Sequence, residues 1–252
     1  MESEFDVKIL LKFVEPQFTR NTMNGEFYFA KNKYFIDLEE EQFEKGIGDS
    51  EEGVWSQLIK SSDYQIFIPL ENGEEFELPF EKAYIKHSYS DLSKFPICCF
   101  VLLSLKNDFL YNPDENKFYL KPEIEEKLVE QFQGRDLIYI HNHDEFINRI
   151  DKILEDKEIG RMRGLVKYFD DKNESHPLPM DDFDKDAPRT LLYKRKFFEY
   201  QKEFRIVLKR PFETDQIFNI GNMKDIALNL EKVEVGKKLP LIYSYKRQNT
   251  KV

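Results

Sequence analysis

The sequence predicts an α+β protein with a strongly curved, mixed or antiparallel β core and a few flanking helices. The chain has 252 residues, of which 40% are hydrophobic and 15% aromatic, so it has enough apolar surface for a packed interior. Phe and Tyr supply much of that surface, and aromatic residues favour strands. Short segments typical of strands outnumber the helical ones. Because no linker requires a domain boundary, we expect a single domain over residues 1–252.

The first half of the chain is predicted to be mostly β. Phe5–Val14 alternates as a first strand, and Asn24-Gly25 forms a turn before the aromatic run from Phe27 to Phe35. Residues 36–53 are acidic and interrupted by glycines, so we expect a long mobile loop there. Further strands are expected at Tyr64–Leu70, around Glu75–Tyr89 and at Pro96–Leu105, with Asn72-Gly73 as a hairpin turn.

The second half is predicted to combine helices with short strands. Pro122 begins a helix that runs to Phe132, and Asp144–Asp156 carries an apolar stripe, with Asn142 or His143 as its cap. Residues 170–188 hold three prolines and many acids, so we expect a second mobile excursion. Thr190–Tyr200 stays open between helix and extended chain. The remaining strands are Asp136–His141, Gly164–Phe169, Lys202–Leu208 and several short ones between residues 216 and 245.

The charge of the chain restricts its partners. The 48 acidic and 38 basic residues give a net charge of −10, which repels a phosphate backbone at long range. Broad non-specific DNA binding is therefore not expected. A basic stretch could form a local groove or only a solvated face, and both interpretations stay open; it comprises Arg189, Lys194, Arg195, Lys196 and Lys202.

The cysteines and the terminus indicate where the protein resides. Cys98 and Cys99 are adjacent in a predicted strand, so they should point to opposite faces as buried thiols rather than form a disulfide. The acidic first residues lack the pattern of a signal peptide, and no stretch approaches the roughly 20 apolar residues that span a bilayer. We expect a cytoplasmic protein with no membrane association.

The segment YQKEFRIVL at residues 200–208 is the first candidate for a functional element. On a strand, Phe204 and Ile206 would face the core, while Glu203 and Arg205 would share the other face, about 7 Å apart. One interpretation is a half-buried ion pair on a strand that faces solvent. The other is a catalytic carboxylate, Glu203, that its strand fixes at the floor of a cleft.

An aromatic and acidic stretch is the second candidate. Tyr28 and Tyr34 lie in the aromatic run, and Asp49 and Glu52 lie between glycines that let a carboxylate approach a ligand or a charged partner. A merely solvated acidic loop is the alternative. The glycine spacing matches no phosphate-binding loop. The few histidines and cysteines predict no metal site.

Three short blocks resemble a widespread, little-characterised family of small bacterial and phage proteins. They are GEFYF at residues 25–29, GIGDSEEG at 46–53 and YQKEFRI at 200–206. Members of this family often sit among toxin and phage-defence genes, and their layout is similar to that of toxins with the ADP-ribosyltransferase fold. The resemblance therefore implies NAD as the cofactor.

The resemblance also implies roles for individual residues. Glu203 would be the catalytic glutamate that orients the ribose of NAD, and Arg205 would pair with it or contact the substrate. Tyr34 or Tyr28 would stack on the nicotinamide. The family pattern places an Arg or His on the first strand, and Arg20 is the nearest such residue here.

The leading hypothesis is a toxin or phage-defence effector that transfers ADP-ribose from NAD to a nucleic-acid or protein target. Departure of nicotinamide leaves an oxocarbenium-like centre, which a preorganised carboxylate can stabilise. One alternative is a non-catalytic defence or anti-defence component that binds another protein. A second is a metal-dependent nuclease with Asp49, Glu52 and Glu203 as ligands.

Overall fold

The computed structural model describes residues 7–41 and 49–244. Their strands are β1 (Lys8–Val14), β2 (Glu26–Lys31), β3 (Trp55–Lys60), β4 (Ile66–Pro69), β5 (Glu75–Leu78), β6 (Lys82–His87), β7 (Pro96–Ser104), β8 (Phe109–Asn112), β9 (Lys117–Leu120), β10 (Asp136–Ile140), β11 (Arg161–Leu165), β12 (Lys167–Phe169), β13 (Tyr193–Arg195), β14 (Glu203–Leu208), β15 (Gln216–Asn219), β16 (Ala227–Lys232) and β17 (Ile242–Ser244). The α-helices are α1 (Pro16–Met23), α2 (Asn32–Glu41), α3 (Leu105–Asp108), α4 (Pro122–Phe132), α5 (His143–Asp156) and α6 (Met180–Lys185). Ser90–Lys94, Ala187–Leu192 and Lys196–Gln201 form 3-10 helices.

A central sheet organises these elements, and its helices and mostly antiparallel strands confirm the predicted α+β class. The strands run in the order β11-β14-β7-β1-β10-β16, and every neighbouring pair in this path is antiparallel. β2 pairs with β7 beside this path, and β15 pairs with β2. The sheet is open rather than closed on itself, so the predicted strong curvature is not confirmed.

Both faces of the central sheet are buried, and a different helix covers each. Helix α5 packs on one face through residues such as Phe146 and Leu154. Helix α4 packs on the other face through Leu128. Strand β1 shows the resulting alternation, because Leu10 joins the first cluster while the adjacent Leu11 joins the second. Strand β1 is therefore apolar on both sides, as is usual for a strand whose sheet is covered on both faces.

Several predicted elements are confirmed. Strand β14 and helices α4 and α5 appear where the patterns placed them, and the side chain of Asn142 caps α5 by accepting from the backbone N of Glu145 at 3.2 Å. Cys98 packs in the first cluster and Cys99 on the opposite face, and both are free thiols. Burial raises the pKa of the Cys98 thiol, which keeps it protonated.

Other segments differ from the prediction. Helix α1 was not predicted, and the aromatic run Phe27 to Phe35 divides between β2 and α2. Residues 36–41 of the predicted loop belong to α2, whereas residues 42–48 lie outside the described part of the chain. The excursion at 170–188 includes α6 and buries Phe183 in an aromatic cluster. Local pattern missed these helices because they are short and tertiary packing stabilises them.

Four strands outside the central sheet form a long hairpin. β3 pairs with β6 and β4 pairs with β5, one pair inside the other, so residues 55–87 form a single ribbon, here called the β arm. The backbone N of Ser61 donates to the carbonyl O of Glu81 at 3.2 Å between the two pairs. The tip lies at Asn72-Gly73, as predicted.

Candidate functional site

The site begins on β14, between β11 and β7 in the central sheet. Glu203 and Arg205 project from the same face of this strand, as the period-two pattern predicted, and Arg205 Nε lies 2.6 Å from Glu203 Oε2. Only 8% of Glu203 and none of Arg205 is exposed. The interpretation of a half-buried ion pair that faces solvent is therefore wrong, because the turn at residues 49–53 and the segment 187–195 cover this face.

The turn at residues 49–53 supplies a partner for Arg205. Glu52 binds the guanidinium with both carboxylate oxygens, at 2.5 Å from Nη1 and 3.1 Å from Nη2. Arg205 Nη1 also donates to the carbonyl O of Leu191 at 2.7 Å. Each nitrogen of the guanidinium thus has an acceptor, which is the condition under which a buried arginine is tolerated.

Lys194 on β13 completes the group. Its Nζ lies 2.9 Å from Glu203 Oε1 and 3.9 Å from Glu52 Oε2, and it donates to Gln201 Oε1 at 2.8 Å. Glu52, Lys194, Glu203 and Arg205 are here called the charge cluster. Two carboxylates balance two cations, so the cluster is neutral although it lies in the interior.

The charge cluster holds Glu203 and Lys194 ionised. Burial would raise the pKa of Glu203, but the charges of Arg205 and Lys194 outweigh burial and lower that pKa to about 2. Burial likewise opposes the charge of Lys194, and Glu203 and Glu52 outweigh it, so the pKa of Lys194 is raised. Because both oxygens of Glu203 are engaged, this carboxylate is suited to positioning Lys194 and Arg205 rather than to accepting a proton at neutral pH.

Asp49 and Arg195 form an ion pair next to the charge cluster. Arg195 Nη2 lies 2.6 Å from Asp49 Oδ1, and 1% of Asp49 is exposed. Burial and the nearby Glu52 raise the pKa of Asp49 to about 6, although Lys194 and Arg195 act in the opposite direction. Asp49 is thus a carboxyl group whose pKa lies well above the usual range of aspartate, which is a property of acid–base groups in active sites.

A cavity of about 300 Å³ opens beside this ion pair. Ser56, Tyr84 and Lys86 of the β arm line it together with Asp49 and Glu51 of the turn at residues 49–53. Seven charged side chains line it: the basic residues Lys86, Lys172, Lys194 and Arg195 and the acidic residues Asp49, Glu51 and Asp171. Basic groups thus exceed acidic ones at the cavity, whereas the whole chain carries a charge of −10.

Three largely buried rings, packed edge-on or tilted against one another, line one part of the cavity, here called its inner end. The ring of His176 lies 4.9 Å from that of Phe169 and 4.7 Å from that of Tyr193. His176 Nδ1 accepts from the backbone N of Leu178 at 3.0 Å, so the neutral ring carries its proton on Nε2. Burial lowers the pKa of His176 to about 4, and the ring is therefore a neutral hydrogen-bond donor at pH 7.

The structure brings together four of the predicted site residues and separates three others. Asp49, Glu52, Glu203 and Arg205 meet although they come from two distant segments. Tyr28 and Tyr34 are each 49% exposed, and their contacts are with Asp215 and Phe35 respectively. Arg20 is exposed on α1. Of the seven predicted site residues, Asp49 alone is among the described residues that line the cavity, so Glu203 does not form its floor.

Sequence reasoning missed much of the cavity. The sequence marks Lys194 and Arg195 only as part of a basic stretch. Their strand has three residues between two 3-10 helices, so it is too short to show an alternating pattern. His176 lies in the proline-rich segment expected to be mobile, where its backbone N donates to the carbonyl O of Ser56 at 2.7 Å. No local signal marks such a residue, because only its contact with the β arm places it at the cavity.

The nuclease alternative gains no support from the geometry. Within residues 7–41 and 49–244, no group of three or more His, Cys, Asp or Glu side chains could hold a metal ion. Asp49, Glu52 and Glu203 instead bind the cations of Arg195, Arg205 and Lys194.

No helix within residues 7–41 and 49–244 is long and apolar enough to cross a membrane.

Comparison with protein-family models found no match, and comparisons with curated proteins and with solved structures found no significant match. The fold and the site describe an α+β protein in which a neutral, buried charge cluster lies next to a polar cavity.

Proposed function

We propose that the cavity binds a small phosphate-bearing ligand of the nucleotide type, and that the protein is a toxin or phage-defence effector acting on NAD. The observation that carries the proposal is a cavity that is lined by four basic side chains, three closely packed rings and a carboxyl group with a pKa of about 6. Its volume of about 300 Å³ lies in the range of about 300–1,000 Å³ that is usual for small-ligand sites.

The charges favour an anionic group at the outer part of the cavity. Lys172 is exposed and Lys86 forms only an exposed ion pair with Glu51, so both can turn towards a phosphate. Ion pairs with Glu203 and Asp49 hold Lys194 and Arg195 in place, respectively. A preorganised pair of cations lowers the cost of binding an anion, because little side-chain entropy is lost.

The inner end favours a planar polar group. His176 donates through Nε2, and its neighbours Phe169 and Tyr193 supply apolar ring surface. Planar bases and nicotinamide combine an aromatic body with hydrogen-bond acceptors, which suits this arrangement. This end of the cavity replaces Tyr28 and Tyr34 as the proposed site for the aromatic part of the ligand.

The reaction supported by the family resemblance is the transfer of ADP-ribose. The bond between nicotinamide and ribose breaks, a nucleophile on the target bonds to the same ribose carbon, and the proton of the nucleophile passes to a carboxylate. Asp49 is the carboxyl group next to the cavity whose pKa fits this role, whereas Glu203 and Arg205 act as positioning residues beneath it.

Ligand binding is tested by calorimetry with pyrophosphate, AMP, ADP-ribose and NAD as separate probes. Replacing Lys172 by Gln is expected to weaken binding of the phosphate-bearing probes by about tenfold, as for the loss of one charge-assisted contact. The matched control is Lys157→Gln, an exposed lysine at the end of α5 that does not line the cavity. Failure of every probe to bind, or equal affinities of the two variants, would contradict the proposed site.

The reaction is tested separately by chromatographic detection of nicotinamide released from NAD. Asp49→Asn is expected to lower the release rate by about 10²-fold or more, because general acid–base catalysis contributes factors of that order. The variant must first be shown to retain its cooperative thermal transition. If NAD binds but no nicotinamide is released, the proposed ligand site is supported and the proposed transfer of ADP-ribose is contradicted.

A further inference from the structure

The outer half of the β arm, residues 63–81, is solvent-exposed on both sides. β4 and β5 pair with each other and, among the described strands, with no other. None of the four residues of β4 or the four of β5 is buried. An isolated two-stranded ribbon is at best marginally stable in water, and both of its edges offer unpaired backbone groups.

The two faces of this ribbon differ in chemistry. Ile66 lies opposite Leu78 and Ile68 opposite Phe76, so four apolar side chains share one face. Ile68 is 43%, Phe76 52% and Leu78 38% exposed, which makes this a contiguous exposed apolar surface rather than scattered single residues. The opposite face carries Phe67 with the carboxylates of Glu75 and Glu77.

The same segment has an extreme charge. Residues 63–81 contain no Lys or Arg, and they contain the acidic residues Asp63, Glu71, Glu74, Glu75, Glu77 and Glu81. The apolar face is therefore bordered by negative charge only. Such a border repels a second copy of the same acidic ribbon, a nucleic-acid backbone and an anionic membrane surface.

We propose that the apolar face of the outer β arm docks into an apolar groove on another protein, and that lysine and arginine side chains border this groove. The apolar face supplies the buried contact, and the carboxylates supply orientation and fast association.

The arm also joins the docking surface to the cavity. Trp55 at its base donates through Nε1 to the carbonyl O of Leu178 at 2.7 Å, and Ser56, Tyr84 and Lys86 line the cavity. A partner seated on the outer arm is therefore held by the same ribbon that forms a wall of the cavity. The inference stands on the exposed faces and charges of the arm and does not depend on the ligand proposed for the cavity.

The first experiment is site-specific photo-cross-linking in native host cells. A photoreactive phenylalanine at Phe76 probes the apolar face, and one at Phe67, which is 47% exposed on the opposite face, is the matched control. The expected result is a protein adduct at Phe76 that is several-fold weaker at Phe67. Equal adducts at both positions, no adduct, or adducts only with nucleic acid, lipid or a second copy of this chain would overturn the inference.

The second experiment measures affinity for the cross-linked protein after its purification. Replacing Ile68 and Phe76 by Ser is expected to weaken binding by at least about tenfold, and Glu75→Lys with Glu77→Lys is expected to weaken it and reduce its salt dependence. Phe67→Ser is the control for the opposite face. An unchanged affinity of the apolar-face variant would overturn the inference.

Both sets of variants must keep the fold for the comparison to hold. The substituted side chains are exposed, so the thermal midpoint and the circular dichroism spectrum are expected to match those of the wild type. An apolar-face variant that loses its cooperative thermal transition is replaced by the single substitution Phe76→Ser, which alters one side chain on the same face. The affinity of that single variant then supports or overturns the inference by the same criterion.

Discussion

Arg205 shows how a single residue determines the arrangement of the site. Its side chain is fully buried, and its three nitrogens contact Glu203, Glu52 and the carbonyl O of Leu191. A guanidinium suits this position better than an ammonium, because its planar fork meets the carboxylate of Glu52 with two parallel hydrogen bonds. The residue thus ties the turn at 49–53 and the segment at 187–192 to the central sheet.

Replacing Glu203 by Gln is expected to destabilise the protein by about 3–5 kcal/mol, because it leaves the buried cations of Lys194 and Arg205 with one counter-charge too few. On a strand facing solvent the same isosteric change would leave folding nearly intact. The free energy of unfolding from urea titration distinguishes these outcomes.

The control for that prediction is Glu213→Gln. Glu213 also forms an ion pair, with Lys94 at 2.9 Å, but its side chain is 84% exposed. Removing such a pair is expected to leave the urea midpoint almost unchanged, since water screens exposed charges. If both variants unfold at the wild-type urea concentration, the charge cluster does not contribute to stability.

Asp49 is expected to make stability depend on pH in an unusual direction. The pKa of this carboxyl rises from 3.8 unfolded to about 6 folded, so between these values the folded state binds more protons. Wild-type stability therefore decreases through this group as the pH increases from about 4 to 6. The variant Asp49→Asn has no carboxyl group to titrate at this position. Its free energy of unfolding minus that of the wild type should therefore increase by about 2–3 kcal/mol as the pH is raised from about 4 to 6.

The measurement for Asp49 is urea unfolding of both proteins at several pH values from 4 to 7. Burial lowers the pKa of His176 to about 4 in the folded state. His176 therefore contributes stability that is fully present above about pH 6.5 and is lost as the pH falls towards 4. Because both proteins contain His176, its contribution cancels in their difference. A difference that is independent of pH, or that changes in the other direction, would contradict the raised pKa of Asp49.

At the scale of the element, β14 contains two positions that the sequence pattern treats as equivalent. Phe204 and Ile206 were both predicted to lie in the core, and Ile206 is 1% exposed, whereas Phe204 is only partly buried against the same cluster. The difference arises because Phe204 stands near the start of the strand, opposite Leu165, which is 52% exposed.

Ile206→Ala is expected to destabilise the protein by about 2–5 kcal/mol, as for a fully buried aliphatic side chain. Phe204→Ala should cost less than the about 3–5 kcal/mol typical of a fully buried phenylalanine, since part of its ring already contacts water. Chemical denaturation of the two variants provides the comparison. A greater loss for Phe204→Ala than for Ile206→Ala would show that this ring carries more of the packing than its exposure indicates.

At the scale of the whole molecule, Gly25 fixes the contact between two turns that are far apart in the sequence, one after α1 and one after β15. It adopts a φ of +94°, and a Cβ placed there would lie 2.0 Å from the carbonyl O of Gly221. The carbonyl O of Gly25 also accepts from the backbone N of Ile220 at 2.9 Å. The turn between α1 and β2 therefore packs directly on the turn after β15.

Gly25→Ala is expected to destabilise the protein by at least about 2 kcal/mol, because backbone strain and a backbone collision add together. Gly73→Ala is the matched control, since Gly73 has a similar φ of +85° but no heavy atom within 4 Å of the added Cβ. A thermal melt should show a much larger decrease for Gly25→Ala. Equal decreases would assign the whole effect to the φ angle.

The sequence by itself determined the elements with strong local patterns. The apolar stripe of α5, the proline at the start of α4, the Asn72-Gly73 turn and the alternation in β14 each depend on neighbouring residues, so each was predicted with its correct type. The α+β class followed from these elements. The shared face of Glu203 and Arg205 followed as well, because alternation along a strand is a property of its own backbone.

Only the tertiary structure decided what that shared face contacts. Glu52 and Arg205 are 153 residues apart, and no periodicity links a glycine-flanked turn to a late strand. The alternating pattern of β14 could not show whether its polar face contacts solvent or another segment of the chain, because a buried ion pair and an exposed one consist of the same residue types. The cavity formed by the β arm, β13 and His176 arises in the same way, from segments that meet only because the sheet is covered on both faces.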